Sequence, residues 1–443
     1  MKIVICGFGS AGYAAAMSVK RAEPKTEIVI IDPKDSDLMH PCGLPYALEG
    51  IVNPANLLQD IDLKKGGITR HKGKVTEISP DSKIICYNKD SGSLTESYDS
   101  LIIATGYRPV IPAVPGIDNL LGKAVFTLAD ITDLKKILSV KDGISNCVVI
   151  GGGAIGIETS YALRRQGKSV ILVEMQNQLL QGILDSDISL IAENQLISEG
   201  ISLQKESTVT AFEESGNCHK VLCSTGTIES EMTIIATGFA PDISIAEKSG
   251  IRFNKSGIIT DPFLMTSAKD VFAAGDCIAG WSAIDGKAFS SRLATSAYKQ
   301  GTIAGINSLG GKTEYRGTAS TFVTKIGDFE IAGTGFNTET AFKRGFEPLS
   351  GKIKSKIRPE YYPDNRDITI KIIFDKNTGL ILGAQCAGSE GAASRINIVS
   401  MAVEFGITID ELSRTELAYC PSVSEVYDPL LRAVDIGLRR LNK

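Results

Sequence analysis

Cys42 is the residue of this 443-residue chain whose type and setting most invite chemistry. It lies in His40-Pro41-Cys42-Gly43-Leu44-Pro45-Tyr46, between two prolines, and the residues after it read as the start of a helix. A thiolate there would face backbone N–H groups that lack an intrahelical acceptor and the positive end of a helix dipole, and both lower a cysteine pKa. Two readings follow: a sulfur that is nucleophilic at neutral pH, or a buried structural thiol, since cysteine outside disulfides is among the most buried residue types. His40, two residues earlier, reads either as a proton-handling neighbour of the sulfur or as an ordinary loop residue.

Two glycine loops offer a second kind of chemistry. An apolar run over residues 2–6 leads at once into Gly7-Phe8-Gly9-Ser10-Ala11-Gly12, a helical stretch from about Ala11 to Arg21, and an apolar strand from Glu27 to Ile31 that ends in Asp32 and Pro33. Glycines allow a tight turn and close backbone approach, the helix N-terminus meets a pyrophosphate, and an acid twenty residues past Gly12 can bind a ribose hydroxyl. The order then repeats. A strand from Cys147 to Ile150 leads into Gly151-Gly152-Gly153-Ala154-Ile155-Gly156, a helix from Glu158 to Gln166, a strand from Ser169 to Val173, and Glu174, eighteen residues past Gly156. Two such units imply two bound dinucleotides. The residues after Glu174 are Met175, Gln176, Asn177 and Gln178, with no cation for a 2′-phosphate, so the second site favours NADH over NADPH.

Further elements must hold these loops in place. The apolar stretch from Tyr98 into Ala104-Thr105-Gly106 is echoed by that from Met232 into Ala236-Thr237-Gly238. Each reads as a strand ending in a small-residue turn, as expected where backbone passes close to a cofactor. The stretch Asp270 to Asp276 is a third strand, ending in glycine and a carboxylate. Past Gly317, residues 368–374 and 380–386 flank a turn at 375–379 and read as a hairpin, followed by helical periodicity over 392–404 and 427–439.

Composition narrows the function classes. The length predicts roughly two to four domains. A net charge of −4 with 22% charged residues gives no electrostatic reason to expect nucleic acid. The start Met1-Lys2-Ile3-Val4-Ile5 leaves no room for a signal peptide, and no apolar run reaches the ~18 residues of a membrane span. Nine scattered cysteines, an odd number, predict a reducing cytoplasm rather than a disulfide scaffold. Without a Cys-x-x-Cys pair or clustered His, no metal site is expected.

Taken together, both glycine loops, both Ala-Thr-Gly turns and Ala273-Ala274-Gly275-Asp276, in this order, resemble the FAD-dependent pyridine nucleotide-disulfide oxidoreductases over the whole chain. The resemblance implies an α/β protein with two Rossmann-like dinucleotide-binding domains and a C-terminal α+β dimerisation domain. FAD would occupy the first loop, with Asp276 on its ribitol chain, and NAD(P)H the second, with Glu158 near the nicotinamide. Residues 1–112 and 241–317 would form the FAD domain, 113–240 the NAD(P)H domain, and 318–443 the domain that makes a homodimer. Pro109 to Gly116, with three prolines, would be a linker.

Two-cysteine members carry Cys-x4-Cys, but the positions five away from Cys42 are Asp37 and Ala47. The stretch Cys42-Gly43-Leu44-Pro45-Tyr46 instead resembles the single-cysteine branch of coenzyme A-disulfide reductases, NADH oxidases and peroxidases, and persulfide reductases. A lone redox cysteine takes its second sulfur or oxygen from outside. The resemblance therefore implies electron flow from NADH through flavin to Cys42, which reduces a low-molecular-weight disulfide or persulfide. The alternatives are an oxidase or peroxidase cycling through sulfenic acid, a reductase of a small redox protein, and a redox-sensing NAD(H)-binding flavoprotein.

Three departures bear on the choice. Ser10 stands where oxidases and peroxidases of the branch have histidine. Ala154 stands where relatives often have a tyrosine over the flavin. Tyr361 or Tyr362, together with Tyr419, match tyrosines that reach across the dimer in coenzyme A-disulfide reductases, but Cys420 follows Tyr419 in place of alanine and would be a resolving thiol. Lys20, Arg21, Arg70, His71 and Lys72 are candidate cations for the phosphates of coenzyme A.

Overall fold

The computed structural model describes residues 1–89 and 92–441. The chain divides into two compact units: one built from Met1–Pro41, Pro54–Val110 and Phe239–Thr318, the other from Cys42–Asn53, Ile111–Gly238 and everything after Thr318.

The first unit is organised on a parallel sheet with the strand order Val271–Ala273, Ser100–Ile103, Lys2–Cys6, Glu27–Asp32, Ile68–Lys72. Lys2–Cys6 is central, and Ile3, Val4 and Ile5 are completely buried, as a near-continuous apolar run demands of a strand covered on both faces. The antiparallel meander Lys74–Ser79, Ile84–Lys89 and Gly92–Ser97 contributes Ile78, Ile85 and Tyr87 to the same core. Two helices pack closely here, Ser10–Ala22 and Ala294–Ser308. Their contact uses small residues on both sides: a Cβ on Gly301 would fall on the Ala11 carbonyl, and one on Gly305 would lie 2.6 Å from that of Ala15.

The second unit repeats the parallel plan. Its sheet runs Val125–Thr127, Met232–Ile235, Asn146–Ile150, Ser169–Val173, Ser202–Gln204, with an antiparallel meander of Val209–Ser215, Cys218–Cys223 and Gly226–Ser230. It also holds a five-stranded antiparallel sheet whose middle strand, Ile381–Gly388, is buried along its whole length. That strand pairs with Asp367–Asp375 through the expected turn, where the Asp375 carboxylate accepts from the Thr378 amide at 3.1 Å and its hydroxyl at 2.8 Å.

Two boundaries differ from the sequence expectation. The second nucleotide-loop helix is Ala154–Arg165, starting four residues before Glu158, because the end of the glycine loop itself supplies the first helical turn. The last helix is Pro429–Leu441 rather than 427–439: Asp428 accepts from the Leu430 amide at 2.8 Å and Pro429 takes the first helical position, where its missing N–H costs nothing.

The Gly301 contact is directly testable. Gly301→Val should destabilise the protein by about 1–3 kcal/mol through overpacking. Because Ala11 belongs to the first glycine loop, flavin retention should fall in parallel; thermal melts with and without added flavin measure both.

Candidate functional site

The two glycine loops have the same geometry, one in each unit. Gly7 adopts φ +101°, and a Cβ there would strike the Ala104 carbonyl; a Cβ on Gly12 would strike the Gly7 carbonyl. In the second loop Gly151 adopts φ +112° against the Ala236 carbonyl, and Gly156 abuts the Gly151 carbonyl. Neither Gly9 nor Gly153 has anything within 4 Å of where a Cβ would stand. The outer glycines are thus required by the protein's own backbone, while the middle ones leave open space in front of the loop.

Both loop helices begin without a side-chain cap, at Gly9 and at Gly153, so Ser10 and Ala11, and Ala154 and Ile155, open helices whose first amides are capped by no residue side chain. An anion fits such an end. Open space at the middle glycine and an uncapped helix start are what a dinucleotide pyrophosphate needs, and both loops have them.

The acids sit as the spacing requires. Asp32 is 2% exposed and accepts from the Phe8 amide at 2.6 Å; Glu174 accepts from the Gly152 amide at 2.6 Å and the Gln176 amide at 2.7 Å. Each acid therefore clasps the second residue of its own glycine loop. They differ in counter-charge, for Asp32 also binds Lys34 Nζ at 2.5 Å and lies 3.7 Å from Arg70. Pro33, next to Asp32, is exposed.

The small-residue turns follow the same plan. The Ala104 amide donates to the Cys6 carbonyl, and the Ala236 amide to that of Ile150, each at 2.8 Å. Gly106 and Gly238 both turn with positive φ, +71° and +99°, and Thr105 Oγ1 donates to the Asp242 carbonyl at 2.9 Å. Asp276 lies in a pocket lined by Gly275, Ser290, Ser291, Arg292 and Gln300. Burial pushes its carboxyl up to about 6, against the pull of the Arg292 charge. Gln300 accepts from the Gly275 amide at 2.8 Å and so fixes the turn that presents Asp276.

Cys42 is exposed, in a 3-10 turn Pro41–Gly43 that runs straight into the short helix Leu44–Glu49. The buried structural reading is thereby removed. Of the nine cysteines only Cys42 and Cys420 are exposed. The Leu44–Glu49 helix packs along Ala154–Arg165, the helix that carries Glu158. Burial raises the Glu158 carboxyl, and Thr324 Oγ1 donates to it at 2.7 Å. His40 belongs to the other unit, where its amide donates to the Leu57 carbonyl at 2.9 Å and its ring meets Gln59 at 3.3 Å.

In the C-terminal part the tyrosine choice resolves. Tyr361 and Tyr419 meet hydroxyl to hydroxyl at 3.2 Å and are both exposed, whereas Tyr362 lies beneath the Arg358 guanidinium, 5.9 Å from the ring centre. Arg358 Nε also donates to the Ser422 carbonyl at 2.7 Å, tying the two tyrosine loops together. Cys420 Sγ lies 3.3 Å from Ser422 Oγ, and hydrogen bonds from Ser422 hold its thiol below the usual range.

The candidate coenzyme A cations fare less well. Arg70 is held by Asp37 at 3.3 Å and by the Ser36 carbonyl at 3.0 Å, Lys20 by the Thr26 carbonyl at 2.7 Å, and Lys72 by Asp35. His71 stacks on Tyr87 with centroids 5.9 Å apart. Their charge is largely compensated within the protein, and only the exposed Arg21 keeps the role that its position suggested.

Residues with no sequence signal complete the site. Thr324, Arg292 and Gln300 are far from every motif in the chain, and only the fold brings them in. Tyr46 did have a local signal, its four-residue spacing from Cys42, which places both on one side of a helical turn.

Comparison with known proteins adds an independent line. Residues 1–301 match the family described as pyridine nucleotide-disulphide oxidoreductase, and residues 321–430 match the dimerisation domain of the same family. The chain is 33% identical to the NAD(P)H coenzyme A polysulfide/persulfide reductase of Pyrococcus horikoshii, over 97% of each chain. It is 32% identical to an NADH oxidase of Methanocaldococcus jannaschii over 100% of both. Its structure superimposes on an NAD-dependent persulfide reductase from A. fulgidus with a TM-score of 0.95 at 29% identity, covering 100% of this chain and 84% of that one.

The raised carboxyl of Asp276 predicts a pH signature. A group whose pKa is higher folded than unfolded stabilises the fold below its unfolded value and loses that contribution as pH rises through the folded one. Apoprotein stability should therefore decline between about pH 4 and 6, and Asp276→Asn should flatten this decline and gain on the order of 2–3 kcal/mol above it. Urea unfolding of the apoprotein across that range measures it.

Proposed function

The chain belongs to the pyridine nucleotide-disulphide oxidoreductases, and from that membership we propose an FAD-containing, NADH-dependent reductase in which Cys42 reduces a low-molecular-weight disulfide or persulfide. The observation that carries this reading is exposure: the cysteine chosen by its sequence setting is one of only two that solvent reaches. The relatives named as persulfide reductases support a sulfur substrate. In our reading residues 1–112 and 241–317 bind FAD, 113–240 bind NADH, and 318–443 form the homodimer contact. The scattered thiols favour a reducing cytoplasm.

The chain's own residues divide the work. Gly9 and the uncapped start of the Ser10–Ala22 helix would hold the FAD pyrophosphate, Asp32 its ribose once Lys34 gives way, and Asp276 its ribitol chain. Gly153 and the start of the Ala154–Arg165 helix would hold NADH. The negative Glu174, with no cation among residues 175–178, supports NADH over NADPH because a 2′-phosphate there would meet like charge. When bound, these two groups supply the hydride and electron chemistry. Cys42 carries the substrate sulfur as a mixed disulfide or persulfide and is left as a thiolate when the thiol or sulfide departs.

The dimerisation-domain match supports a homodimer. In that assembly the Tyr361–Tyr419 pair would approach the partner's sulfur and steady its charge through a phenol hydrogen bond. Val423 and Val426, more than 60% exposed beside them, are apolar surface of the kind a second copy covers. Cys420 stands in the same loop, and its lowered thiol pKa suits a resolving role.

One specific observation favours the oxidase alternative: the similarity to the Methanocaldococcus protein, which bears that name. Ser10, in place of a histidine that could handle a peroxide proton, weighs against it.

Two experiments test the reading. Cys42→Ser should retain flavin but lose disulfide and persulfide reduction, and a serine variant with full turnover refutes the assignment. Anaerobic NADH titration should consume four electrons per flavin, with the group released from Cys42 identified by mass; two electrons and no adduct would mark an idle thiol. Mild oxidation of the dimer should yield a Cys42-to-Cys420 cross-link by peptide mapping, and its absence would return Cys420 to a packing role.

A further inference from the structure

Cys42, Tyr46 and Glu49 recur at intervals of four and three along the turn Pro41–Gly43 and the helix Leu44–Glu49 that continues it, so they form one stripe. The Ala154–Arg165 helix, against which this helix packs, carries Glu158, Ala162 and Arg165 at matching intervals. One end of the contact is anchored at Glu49, which lies 4.0 Å from Arg165 Nε and whose carbonyl accepts from Gln166 Nε2 at 2.5 Å. The other end brings Tyr46 toward Glu158, whose carboxyl is held by Thr324. Tyr46 is half-buried there.

The charges that act on the Tyr46 phenol are all negative. Burial comes first, followed by Glu158, Glu49 and the Cys42 sulfur, and together they push the phenol up to about 12. A phenolate is thus penalised from both helices.

We infer that Tyr46 is a fixed hydrogen-bond donor to the sulfur on Cys42, kept protonated by Glu49 and Glu158. The inference rests on the reading of Cys42 as the redox residue and adds to it a residue of the same protomer, separate from the Tyr361–Tyr419 pair. A thiolate or persulfide anion carries its charge on sulfur, and a neutral phenol can share its proton with that charge while a phenolate cannot. No proton needs to be lost by Tyr46 in the cycle: it donates while Cys42 is anionic and relaxes when the next sulfur arrives.

The test is the pH profile of Cys42 alkylation by iodoacetamide in the reduced holoenzyme, read by mass on the Cys42 peptide, which depends on no particular substrate. A hydrogen bond to a charged group contributes about 1.5–3 kcal/mol, so Tyr46→Phe should raise the midpoint by about one pH unit or more and slow alkylation near neutrality about tenfold. Replacement of Tyr46 by 3-chlorotyrosine keeps the ring and strengthens the donor, and should shift the midpoint down; this arm stands even where the phenylalanine variant fails to fold. An unchanged midpoint in a folded, flavin-containing Tyr46→Phe protein, or in the chlorotyrosine protein, overturns the inference. Failure of the redox assignment shows separately, as a fully active Cys42→Ser enzyme.

Discussion

Each nucleotide cradle rests on one steric constraint, a backbone carbonyl standing where the Cβ of a later loop residue would have to be. The Gly7 carbonyl excludes any side chain at position 12, and the Gly151 carbonyl does the same at 156. Those close approaches let strand, turn and helix follow without a spacer. The helix start then faces open space at Gly9 or Gly153, and the acid at the end of the next strand comes within 2.6 Å of a loop amide. Any larger residue at the outer glycines would push the helix off the sheet and break the clasp with it.

The two cradles share this frame and differ in charge. Asp32 is buried and already balanced by Lys34 and Arg70, so it can be desolvated at low cost while waiting for a hydroxyl-rich partner. Glu174 is satisfied by backbone amides alone and keeps a field that repels phosphate. The same motif can therefore select different nucleotides through the neighbours of the acid rather than through the acid itself. Close helix packing at Gly301 and Gly305 carries the first cradle from beneath, which couples core packing to the loop.

Cys42 is governed by a different kind of contact. Its turn has little structure of its own, and the helix after it is only six residues long, too short for a dipole to dominate. What fixes it is the bed supplied by Ala154–Arg165, through the Glu49 anchor at one end and the Tyr46–Glu158 approach at the other. The nicotinamide-side helix and the sulfur-bearing helix are consequently one packed element, and the charges that surround Tyr46 come from both.

Much of this was legible in the residues alone. Glycine spacing, strand polarity and the terminal acids determine the two βαβ units because the steric and hydrogen-bond rules behind them are local, acting within about thirty residues. The same holds for the turn at 375–379, and for Cys42, singled out by its prolines and by the lack of a second cysteine. Tertiary structure decided what depends on distant chain segments: that Tyr361 rather than Tyr362 meets Tyr419, that Arg70 and Lys20 are already engaged by nearby carboxylates and carbonyls, and that Thr324 and Gln300 hold Glu158 and the Gly275 turn. Such pairings join residues up to 166 positions apart, and no periodicity in the chain encodes them; they exist only once the sheets and helices have closed around a common core.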